Sequence, residues 1–96
     1  MIVLVAEWTA QPGRGDEIED TLREVIPVMR EEPGVLLYLP NRSVENPDQF
    51  LLYEHYPDQE TREGHRDTAH FKEYIEGRIW PLLEERRVTI YDLVND

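Results

Sequence analysis

The stretch that most limits what this chain can fold into is Phe50-Leu51-Leu52-Tyr53-Glu54-His55-Tyr56-Pro57-Asp58. As a strand it places Phe50, Leu52, Glu54 and Tyr56 on one face and Leu51, Tyr53 and His55 on the other. One acid, Glu54, then stands in an otherwise apolar and aromatic row. Burying a carboxylate without partners is costly, so Glu54 must gain hydrogen bonds and a nearby cation or keep its proton to higher pH. The segment that follows carries His65 and His70 and is placed to bring an imidazole back over the strand. His55 points away from Glu54, toward solvent or a partner.

The flanking patterns supply the rest of a small domain. Ile2 to Thr9 alternates as a strand, and Pro12-Gly13 turns the chain. Asp16 is expected to cap a helix whose apolar stripe is Ile18, Leu22, Val25 and Met29. Pro27 should kink this helix rather than end it, because the stripe runs on to Met29. Glu31-Glu32-Pro33-Gly34 closes the element, Val35 to Leu39 reads as a second strand containing Tyr38, and Pro40 to Gln49 as a polar connection. Asp58 is a helix N-cap, Gly64 weakens that helix, and a second start at Asp67-Thr68 leads into Phe71, Tyr74, Ile75 and Ile79. Val88 to Val94 reads as a final strand.

The order β-α-β-β-α-β is the split arrangement of an α+β, ferredoxin-like fold with an antiparallel sheet, filling residues 1–96 as one domain. Its helices cover one face of the sheet. The opposite face would stay apolar and exposed, which predicts a symmetric homodimer through the sheet faces.

Charge narrows the function. Ten Lys and Arg against 21 Asp and Glu give a net −11, which repels nucleic-acid phosphates and anionic membranes. With no cysteine there is no disulfide framework and no thiolate metal site. The N-terminal apolar run is too short for a signal peptide or a membrane span, so a cytoplasmic protein is expected.

With the elements placed, the chain resembles the antibiotic biosynthesis monooxygenase (ABM) domain family of dimeric ferredoxin-like α/β barrels. The likeness rests on Ala6-Glu7, Pro12-Gly13, Glu32-Pro33-Gly34 through Tyr38, Asn46-Pro47, Tyr53-Glu54, His65 and His70-Phe71. It implies oxidation of a phenolic, quinol or polycyclic aromatic substrate by O2 with no cofactor, in a pocket between helices and sheet. Such chemistry must remove a phenol proton, a task that suits histidine, so His65 is the expected base and Glu54 the group that orients it and stabilises its charged form. A hydrogen-bonded Glu54–His65 pair could equally serve only to lock helix to sheet.

Trp8, Tyr38, Leu52, Tyr56, His70, Phe71, Tyr74 and Trp80 are the expected substrate contacts. His70 lies five residues from His65, so the two rings diverge on one continuous helix. A break between Gly64 and Asp67 would restore their convergence. Two imidazoles with Glu54 would then imitate a metal triad, but the spacing is not that of a helical zinc site, and no metal is expected.

Two departures from the family matter. Polyketide-oxidising members carry an asparagine and a tryptophan on the central strand where this chain has Leu52 and Tyr56. Haem-degrading members carry an asparagine where this chain has Trp8, and the negative charge opposes haem propionates, so haem degradation is not expected. The competing readings are a non-catalytic small-ligand-binding or stress-associated dimer, and a cyclase or isomerase using the same residues without oxygen.

Overall fold

The computed structural model describes residues 1–95. Four strands, β1 (Ile2–Ala10), β2 (Leu37–Arg42), β3 (Gln49–Tyr56) and β4 (Leu83–Asp92), form one sheet in the order β2-β3-β1-β4, with every neighbouring pair antiparallel. Helix α1 (Gly15–Glu31) connects β1 to β2. Helix α2 (Gln59–Arg66), a π-helical segment α3 (Phe71–Ile79) and a 3₁₀ turn (Trp80–Leu82) connect β3 to β4. This is the split β-α-β-β-α-β fold.

Helix α1 runs unbroken through Pro27, and its stripe Ile18, Leu22, Val25 and Met29 is 0–3% exposed. It packs on the inner face of the sheet, where Trp8, Phe50, Leu52 and Tyr56 are equally buried. Each such side chain contributes roughly 1.5–3 kcal/mol by leaving water. Among the described residues no helix covers the outer face, and Leu39, Leu51 and Tyr91 on it stay exposed.

Several expectations are corrected. Asp16 does not cap α1. Asp48, from the β2–β3 loop, accepts from the backbone N–H groups of Gly13 and Gly15, both at 3.1 Å. Asp16 pairs instead with Arg42 at 3.0 Å. A side chain at Gly15 would collide with the Pro47 carbonyl, so the close approach of the β2–β3 loop requires glycine there, whereas at Gly13 it is the φ of 81° that favours glycine.

Strand β2 begins at Leu37 and continues through Pro40 to Arg42. It is an edge strand, where the missing proline N–H need not break the ladder. Strand β4 starts five residues earlier than expected and includes Glu84-Glu85-Arg86-Arg87. Pairing with β1 along its length overrides the polar composition, and charge on an edge strand discourages further pairing. Helix α3 is wound one residue wider per hydrogen bond than an α-helix, ending with the Trp80 N–H donating to the Ile75 carbonyl.

Candidate active site

Strand β3 places Glu54 between Leu4 of β1 and Tyr38 of β2, on the inner face. Glu54 is 5% exposed. The Tyr56 hydroxyl, two residues along the same face, donates to Oε1 at 2.5 Å. Burial pushes the Glu54 carboxyl up to about 7, against the opposing pull of the Tyr56 hydrogen bond and the nearby Arg62 charge. Glu54 therefore exchanges its proton near neutrality. Burial also raises the Tyr38 phenol well above its usual range, with the Glu54 charge adding to it.

His65 lies on α2, 4% exposed. Its Nδ1 is 2.9 and 3.1 Å from the two oxygens of Glu32, the C-cap residue of α1. A carboxylate only accepts, so Nδ1 carries the proton and Nε2 is left as the basic nitrogen. His70 Nε2 donates to the same Glu32 Oε1 at 2.6 Å. Burial lowers the His65 pKa, with the Glu32 hydrogen bond opposing it, so the ring is neutral at pH 7. Glu54 and His65 do not hydrogen-bond each other among the described residues. The carboxylate that hydrogen-bonds His65 is Glu32, not Glu54.

The chain break that turns His70 toward His65 is built by Thr68. Its hydroxyl donates to the His65 carbonyl at 2.8 Å and accepts from the Phe71 N–H at 3.3 Å, ending α2 and starting the next helical turn. The rings of His65 and His70 come to 6.1 Å, and Phe71 meets His65 edge-on at 5.2 Å. Gly34 sets how closely the exit of α1 approaches α2. A Cβ there would run into the Thr61 methyl, whose rotamer is fixed by its hydroxyl donating to Asp58 at 2.7 Å. Asp58 caps α2, as the sequence predicted.

Between the sheet and the α2–α3 segment lies a mainly apolar cavity of about 210 Å³. Glu54 and His65 both line it. So do Trp8, Tyr38, Leu52, Phe71 and Trp80 of the anticipated contacts, whereas Tyr56, His70 and Tyr74 do not. Tyr56 is the partner of Glu54, His70 the second donor to Glu32, and the Tyr74 ring carries the Arg78 guanidinium. The Tyr38 hydroxyl has no protein partner among the described residues.

Sequence reasoning missed Glu32, which sits in Glu-Pro-Gly at a helix exit, and the cavity arginines Arg62, Arg66 and Arg86. The donor atoms of Glu32, His65 and His70 lie within 4.8 Å of one another, a donor set that suits a divalent transition metal. Each nitrogen stands at N–H···O distance from the carboxylate, so a metal would have to displace two protons.

No protein of curated function matches the sequence. A candidate antibiotic biosynthesis monooxygenase from Bacteroides thetaiotaomicron is 30% identical, with a TM-score of 0.85 over 97% of this chain and 89% of that one. The protein PA3566 of Pseudomonas aeruginosa is 29% identical, also at 0.85, over 97% and 94%. A Nitrosomonas europaea protein at 22% identity and TM-score 0.90, covering 98% and 99%, shares the fold. No helix among the described residues is long and apolar enough to cross a membrane. The family model for antibiotic biosynthesis monooxygenase matches residues 1–77, which carry β1, α1, the β2–β3 hairpin and the whole Glu32–His65–His70 cluster, and on that match the chain belongs to the ABM family.

Proposed function

We propose that this protein is a cofactor-independent monooxygenase that oxidises a one- or two-ring phenol or quinol with O2. One observation carries the reading: a neutral imidazole, held in one tautomer by Glu32, in the wall of an aromatic-lined cavity. His65 Nε2 takes the phenol proton, and Glu32 stabilises the imidazolium that results. The Tyr38 hydroxyl and the proton of Glu54 are donors for the phenolate oxygen. An electron-rich phenolate then passes an electron to O2 directly, and the radical pair combines on carbon. Loss of water gives the quinone: phenol plus O2 yields quinone plus H2O, with one oxygen atom retained and the other leaving with the two hydrogens lost from the substrate.

Size favours small substrates. At about 210 Å³ the cavity is below the roughly 300 Å³ at which drug-sized sites begin, so a four-ring polyketide does not fit inside it. The test is oxygen uptake with simple naphthols and quinols. Uptake matched mole for mole by quinone is expected, and none across the panel defeats the reading. Product formed equally fast without O2 would select the isomerase alternative, which the Glu54 carboxyl near pH 7 also suits.

The functional unit in this proposal is a homodimer joined through the outer sheet face, where exposed Leu39, Leu51 and Tyr91 would be covered. Light scattering at micromolar concentration should give twice the 11.4 kDa chain mass. A stable monomer would refute it.

A further inference from the structure

Acids outnumber bases by more than two to one, so a basic side chain here should easily find a carboxylate. Arg14, Arg23, Arg42 and Arg78 do so, and of the six bases that form no ion pair among the described residues three share one place. Arg62, Arg66 and Arg86 form no ion pair and no side-chain hydrogen bond among the described residues, yet all three line the cavity. Arg62 is half-buried, and its Nε–H is sealed from solvent with no partner among the described residues. A native fold seldom leaves such a donor unsatisfied, and at a cavity wall a bound ligand or water can supply the acceptor.

The three guanidiniums come from two sides of the opening. Arg62 and Arg66 are four residues apart on α2, one turn of helix, and flank His65 in sequence. Arg86 is on β4, opposite Trp8 in the β1–β4 register, with its guanidinium 3.6 Å from the Trp80 ring centroid. Stacking occupies the face of that planar group and leaves its N–H edge free for an oxyanion. In a chain of net charge −11, the lining of this cavity holds three arginines and one acid, Glu54.

We propose that the cavity takes an anionic aromatic substrate, with Arg62, Arg66 and Arg86 binding an oxyacid group, carboxylate or phosphate, on the ring that His65 deprotonates. The inference rests on reading the cavity as a substrate site, but not on oxygen chemistry. A planar guanidinium fork matches both oxyacids in two parallel hydrogen bonds, and the apolar lining takes the ring.

Binding to the full-length protein, followed by tryptophan fluorescence, tests it with 1-naphthoate, 1-naphthyl phosphate and neutral 1-naphthol as probes. One or both anions should bind at least tenfold more tightly than 1-naphthol, and the tighter one identifies the oxyacid. The preference should shrink from 50 to 500 mM salt. The double variant Arg66→Gln/Arg86→Gln should lose most of the preference while keeping its affinity for 1-naphthol. Equal affinity for all three probes in the wild type, or a preference unchanged in the double variant, overturns the proposal. Anion preference without oxygen uptake would defeat the monooxygenase reading alone, and oxidation of neutral naphthols without anion preference would defeat this one alone.

Discussion

Glu32 and Glu54 bear the same side chain in the same small domain and do different things. Glu54 projects from the middle of a sheet, hemmed in by Leu4 and Tyr38, and its one hydrogen-bond donor among the described residues is a phenol. Glu32 sits where a helix ends, and two imidazoles donate to it. The first carboxyl holds a proton to about pH 7 because burial penalises its charge. The second uses its oxygens to fix the tautomer of a neighbouring base. Burial keeps the proton on the first acid, while the donors that face the second let it hold a neighbouring ring in place.

The widest test of that division is His65→Ala, which should lower kcat/KM on a turned-over phenol by about 10²- to 10⁴-fold, the usual worth of a general base. Retained helical circular dichroism would separate this from misfolding, and undiminished turnover would remove His65 as base.

Glu54→Gln comes next and should act on stability. The folded-state pKa of Glu54 is raised, so its stabilising contribution is complete below the unfolded pKa near 4.5 and is lost as pH climbs through about 7. A neutral amide, which still accepts from Tyr56, escapes that loss. Urea titrations at fixed protein concentration should find the variant more stable than the wild type by up to about 3 kcal/mol at pH 8.5, at 1.36 kcal/mol per pKa unit, and equal to it at pH 4. A variant less stable at pH 8.5 would mean that Glu54 is paired better than its surroundings indicate.

Smallest is Glu32→Gln, with about a tenfold fall in kcat/KM. Because the Glu32 hydrogen bond raises the His65 pKa, its loss should also move the acid limb of the pH profile to lower pH. A fall in rate with the limb unmoved would reduce Glu32 to a packing role.

Where signals were local, the sequence was a sufficient guide. Period-two alternation identified the inner face of β3, a four-three-four spacing identified the buried stripe of α1, and Asp58 followed by acids marked the start of α2. Residues 35 to 42 and 83 to 92 were misjudged at their edges, because antiparallel pairing extends strands into polar sequence that has no strand signature of its own. The Asp48 cap and the Glu32–His65 contact span 33 residues each. Nothing in the spacing of Glu32 to His65 announces that the end of α1 meets α2. The His65 ring does come over β3, 5.5 Å from the ring of Tyr56, but the acid it hydrogen-bonds is Glu32 rather than the expected Glu54.

Gly34 has no part in proton transfer, yet the reach between Glu32 and His65 depends on it. A methyl group there would act as a shim against the locked Thr61 side chain, prising the two helix ends apart. A substitution tolerated on every local criterion could thus silence the dyad from outside, and surveys of inactive variants should look for such gaps as well as for altered reactive groups.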